Sequence, residues 1–161
     1  MTWSSDLSRA GEGDGQVVLC VSSTGGHFVQ LTRIAEGLGT RTYFVSTRAG
    51  DATLLDGQPH HVVRDISRSS RWSVLVCAVQ LLRILWRVRP SVVLTTGAAP
   101  GYLGLIIARR LGARTVWIDS VANVERVSMA GQLARKHADL FLVQWPHLAD
   151  AQEGCYMGSV L

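Results

Sequence analysis

Short runs of β-branched and apolar residues recur along this chain, with helix-patterned segments between most of them. The runs are Gln16-Val-Val-Leu-Cys-Val-Ser22, Thr42-Tyr-Phe-Val-Ser46, His60-His-Val-Val63, Ser91-Val-Val-Leu-Thr95, Arg114-Thr-Val-Trp-Ile118 and Leu140-Phe-Leu-Val143. They show little polar alternation, so the strands they predict must be covered on both faces. Between them, Phe28, Leu31, Ile34, Ala35 and Leu38 recur at helical spacing with Gly39 as a stop. Trp72 to Val88 predicts a long helix ended by Pro90. Further helices are predicted from the Thr96–Gly101 turn through Leu111 and over Ser128–His137. This alternation predicts an α/β fold: a Rossmann-like, three-layer domain around a parallel sheet.

A chain of 161 residues, 47% hydrophobic and 17% charged, is one domain of ordinary size and excludes disorder for most of its length. Residues 1–15 are polar and Gly-rich and read as a disordered leader, residues 16–148 as the domain, and residues 149–161 as a tail in which Gly154 and Gly158 disfavour a long helix. The most apolar stretch, Trp72–Trp86, is broken by Ser73, Gln80 and Arg83, short of a spanning segment. Cys20, Cys77 and Cys155 lie far apart with no CxxC pair, which reads as reduced cysteine and argues against structural zinc. With no DxD-like carboxylate pair either, no metal and no other cofactor are expected.

In open α/β sheets ligands bind beyond the carboxyl ends of the strands, and three predicted loops lie there. Ser22-Ser23-Thr24-Gly25-Gly26-His27 follows the first strand and opens a helix. Its glycines admit close backbone approach, and the helix start offers free N–H groups, so a phosphate is the natural ligand and a plain tight turn the bland alternative. His27 suits a general base, a phosphate donor or a residue that merely caps the helix. Thr95-Thr96-Gly97-Ala98-Ala99-Pro100-Gly101 is a second candidate anion site, with Pro100 suited to a first helical turn. The third loop gathers Asp119, Ser120, Glu125 and Arg126, either as a functional cluster or as a solvated loop.

Positive charge is concentrated at residues 60–90, where Arg64, Arg68, Arg71, Arg83, Arg87 and Arg89 face Asp65 alone. With Trp72 and Trp86 flanking the apolar helix, Arg68, Arg71, Trp72, Arg83, Trp86 and Arg87 fit a peripheral membrane contact. The competing reading is a sheet-covering helix with charged ends; one helix can present a face to each. Nucleic acid is disfavoured because the aromatics do not alternate with charge along a strand. A self-sufficient nucleotide-binding protein is disfavoured too: there is no G-x-G-x-x-G, and Thr47-Arg48 stands where an acid is needed.

Val21-Ser-Ser-Thr-Gly-Gly-His27, Leu94-Thr-Thr-Gly-Ala-Ala-Pro-Gly101 and Ala138-Asp-Leu-Phe-Leu-Val-Gln-Trp-Pro-His-Leu148 resemble the acceptor-side subunits of split glycosyltransferases. These are the PssD-type exopolysaccharide proteins and their Alg-fourteen-like counterparts, and the turns are also similar to those in the N-terminal half of MurG. The resemblance runs from about Val17 to Leu148 and implies one half of a GT-B fold, active with a second, donor-binding chain of the Alg-thirteen or PssE type. It implies transfer from a UDP-sugar to a polyprenyl-diphosphate-linked acceptor at the cytoplasmic face of the membrane. His27 would then be catalytic, and Ser23, Thr24, Gly25, Gly26, Thr96, Gly97 and Gly101 would bind the acceptor diphosphate. A non-catalytic membrane scaffold that recruits a catalytic chain is the alternative.

Overall fold

The computed structural model describes residues 15–67, 70–152 and 154–160. All but the last residue of the expected leader therefore lies outside the described residues, as does Arg68. Among the described residues, seven parallel strands form one sheet in the order β3-β2-β1-β4-β5-β6-β7. They are β1 (Val17–Val21), β2 (Arg41–Ser46), β3 (His60–Val62), β4 (Val92–Thr95), β5 (Arg114–Ile118), β6 (Leu140–Val143) and β7 (Cys155–Tyr156). The helices are α1 (Gly26–Glu36), α2 (Arg71–Val88), α3 (Ala98–Arg110), α4 (Met129–Ala134) and α5 (Pro146–Gln152). A 3₁₀ helix over Ala49–Leu54 occupies the polar stretch after β2, and another, Arg135–His137, continues α4.

Successive side chains on β1 divide between two cores, as strand geometry requires. Val18 and Cys20 join Phe28, Leu31 and Ala35 of α1 on one face. Leu19 and Val21 join Cys77, Leu81 and Leu85 of α2 on the other. A third cluster on that second side packs Leu105 of α3, Trp117 and Phe141 against Leu148 of α5. The layers are helix, sheet, helix, as the sequence pattern predicts. The sheet runs one strand further than expected: α5 and β7 carry it into residues read as a tail, with Leu142 paired to Cys155 and Val143 to Tyr156.

α2 is apolar on two faces. Ser73, Cys77, Leu81 and Leu85 are buried toward the sheet. Trp72, Leu75, Val79, Leu82 and Trp86 form an outer stripe, with both tryptophans about two-thirds exposed at 67% and 66%. The inner face covers the sheet, and the outer face carries exposed residues expected to contact a membrane. Among the described residues no helix is long and apolar enough to cross a membrane.

Candidate functional site

The strand order reverses between β1 and β4, which lie side by side with Val21 opposite Thr95. The two glycine turns therefore emerge together, at the topological switch point where such sheets hold ligands. Gly25 caps α1 with φ +85°, and Gly97 caps α3 with φ +122°; neither helix start has a side-chain cap. The Phe28 amide turns back to the Gly25 carbonyl at 3.0 Å and Pro100 carries no N–H, which leaves the amides of Gly26 and His27 in α1 and of Ala98 and Ala99 in α3 as the outward donors at the positive ends of the two helix dipoles. Gly25 and Gly26 are exposed, and a Cβ added to either would meet no atom within 4 Å. Ala98 adds strain to the second turn, with φ +63° in a region that side chains disfavour. The starts of α2 and α4 differ: Ser70 accepts from the Ser73 amide and Ser128 from the Gly131 amide.

His27 bridges the two turns. Its Nδ1 lies 3.0 Å from the Thr96 carbonyl, and the Thr96 hydroxyl donates to the His27 carbonyl at 2.6 Å. A carbonyl only accepts, so in the neutral ring Nδ1 carries the proton and Nε2 keeps its lone pair. The ring lies against Gly97, where a Cβ would approach Cε1 to 3.2 Å and Nδ1 to 3.3 Å. Glycine at 97 thus serves both the turn and the imidazole.

Other expected residues take more structural positions. Thr96 is fully buried, with its hydroxyl engaged by His27. Gly101 faces inward, where any side chain would collide with Thr95 Oγ1 and come within 3.3 Å of the Val21 carbonyl. Ser23 directs its hydroxyl to the Thr24 carbonyl over a long 3.4 Å. The Thr24 amide donates to Thr47 Oγ1 at 3.2 Å, and its hydroxyl donates to Asp51 Oδ1 at 2.8 Å. Thr47 and Asp51 escape sequence reasoning, since they sit in an unpatterned polar stretch and only the fold brings them to the first turn.

The third loop is closed on itself. Asp119 is 2% exposed, and its Oδ1 accepts from Trp117 Nε1 at 3.2 Å and Ser128 Oγ at 2.6 Å. Its Oδ2 accepts from Asn123 Nδ2 at 3.1 Å and the Ser128 amide at 2.9 Å, while its backbone carbonyl accepts from Gln144 Nε2 at 2.9 Å. Ser120 Oγ accepts from the Ala122 amide at 3.3 Å, and Glu125 and Arg126 are exposed. Beside the first turn, His60 Nε2 lies 2.9 Å from Ser46 Oγ, and burial lowers the His60 pKa against the opposing pull of Asp51. Arg71, Arg83 and Arg87 are exposed on α2 with Trp72 and Trp86.

A family model described as "Oligosaccharide biosynthesis protein Alg14 like" matches residues 59–160. A mouse protein named UDP-N-acetylglucosamine transferase subunit ALG14 is 24% identical, with 89% of this chain and 82% of that protein covered. The human protein of the same name is 23% identical over the same shares. Among solved structures, MurG from Acinetobacter baumannii matches with a TM-score of 0.73 at 15% identity, covering 91% of this chain and 47% of that one. UDP-N-acetylglucosamine 2-epimerase from Rickettsia bellii gives 0.69 at 15% identity, covering 89% and 45%. The chain thus spans about half the length of these structures and has the fold of one Rossmann-like half of a GT-B protein. It belongs to the Alg14-like family of oligosaccharide biosynthesis proteins.

Proposed function

We propose that this chain is the acceptor-binding subunit of a two-chain glycosyltransferase that moves N-acetylglucosamine from its UDP form to a polyprenyl-diphosphate-linked acceptor. The observation that carries the reading is the pair of glycine turns without side-chain caps at the switch point, joined by His27 through Nδ1. The names of the mouse and human relatives support the donor and the need for a second chain. In this reading the amides opening α1 and α3 hold the diphosphate where Gly25 and Gly26 admit it, while Gly97, whose own amide donates to Thr95 Oγ1 at 3.1 Å, makes room for the His27 ring. Nε2 of His27 takes the proton from the attacking acceptor hydroxyl as the new glycosidic bond forms and the bond to the UDP oxygen breaks. Stabilising the departing UDP falls to the partner chain. Thr96 acts by holding His27, Gly101 by close packing, and Asp119 by tying its loop, with Ser120, Glu125 and Arg126 outside the chemistry. The outer stripe of α2, with Arg71, Arg83 and Arg87, rests on the cytoplasmic surface of the membrane and draws the domain toward anionic headgroups.

The test is a transfer assay on anionic liposomes carrying prenyl-diphosphate-linked acceptors, with and without a co-purified donor-binding chain. Turnover from UDP-N-acetylglucosamine only when both chains are present supports the proposal. Robust turnover by this chain alone overturns it.

A further inference from the structure

Asp51 lies at the mouth and has no role in the proposed chemistry. It lies on the 3₁₀ helix after β2, and its side chain is brought to the glycine turn by the Thr24 hydroxyl, which donates to Oδ1 at 2.8 Å. The residue is 8% exposed, and its other oxygen, Oδ2, is buried with no hydrogen-bond partner among the described residues. No ion pair among the described residues involves Asp51. A buried carboxylate oxygen with unmet lone pairs is costly, and native proteins tolerate few.

The surroundings narrow what completes it. Among the described residues no group of three His, Cys, Asp or Glu is placed to hold a metal ion. Ser46 Oγ donates to the Arg48 carbonyl and sits 2.9 Å from His60 Nε2, so these neighbours are already engaged with one another. A neutral hydrogen-bond donor on a ligand whose anionic part occupied the adjoining turn would meet this oxygen. A sugar joined to a diphosphate has both features, since hydroxyl groups flank the phosphates.

We infer that Asp51 is a specificity residue of the acceptor site, its Oδ2 accepting a hydrogen bond from a hydroxyl of the acceptor carbohydrate. The inference rests on the acceptor reading above and deepens it by assigning the sugar its own contact. Access requires the Thr24 turn to shift, and Gly25 and Gly26 beside it have open space around their α-carbons. Asp51→Asn separates this role from simple support: the amide oxygen still accepts from Thr24, while an N–H group replaces the second acceptor.

The experiment is calorimetric binding of the full chain in detergent micelles to geranylgeranyl diphosphate, bare or carrying one hexose or N-acetylhexosamine. The wild-type chain is expected to bind the best glycosylated probe about tenfold or more tightly than the bare diphosphate, the size of a hydrogen bond to a charged group. Asp51→Asn is expected to lose that preference and keep its affinity for the bare probe. Equal binding of bare and glycosylated probes by the wild type overturns the inference without needing any variant to fold. So does an Asp51→Asn chain that keeps the preference, or one that loses both affinities together. A wild-type chain that binds neither probe overturns the acceptor reading and this assignment with it.

Discussion

The turns after β1 and β4 and the loop after β5 lie at the same edge of the sheet and are built from similar polar residues, yet their hydrogen bonding is opposite. In the turns, helices start on glycine without a side-chain cap, and His27 spends one nitrogen on Thr96 and keeps the other. In the loop, four donors converge on the Asp119 carboxylate, and Ser128 both caps α4 and serves that carboxylate. Unmet polar groups at a strand end are available to a ligand. Met ones form a joint, and the residues involved look alike in sequence.

The largest effects are expected on the open side. Gly26→Val places a side chain in free space where an anion would approach, so acceptor use should vanish while the melting temperature holds. His27→Ala should lower turnover by about 10²–10⁴-fold, the usual loss for a general base, and change acceptor affinity far less. A rise in acceptor KM with turnover intact would instead make His27 a binding residue and move the base elsewhere. On the closed side the effect should be stability. Asp119→Ala strands donors from Trp117, Asn123 and Ser128 and should cost about 3 kcal/mol, seen as a fall of roughly 6–12 °C in Tm by circular dichroism. A stable Asp119→Ala chain without turnover would break the comparison and put the carboxylate into the chemistry. The smallest effect sharpens it: Ser70→Ala removes a helix cap that has no part in the proposed chemistry and should cost about 1 kcal/mol with turnover unchanged.

The fold was readable because strand burial and helix period are local signals. Arg114–Ile118 and Leu140–Val143 fall where the sequence puts them. Cys155–Tyr156 was not readable, since two residues at a sheet edge carry no period and pair only because β6 is beside them. Within the site, Gly25, Gly26 and His27 were legible from residue type at a strand end. The burial of Thr96, the inward turn of Gly101 and the full engagement of Asp119 depend on contacts from distant segments, which residue type cannot report. Asp51 stayed hidden for the same reason, its partner Thr24 being 27 positions away.

The strand order also has a kinetic consequence. The chain first lays β2 and β3 outward from β1, then returns through α2 to place β4 on the other edge of β1, and finally adds β5, β6 and β7 to an edge already formed. Only the return closes a long loop around the centre, and such non-local closure is the slow part of folding a parallel sheet. Until it happens, β1 has an unpaired edge that invites association with other chains. The His27–Thr96 contact spans 69 positions across that closure. Pairing β4 with β1 therefore brings the two turns together and covers the central strand's open edge in the same event.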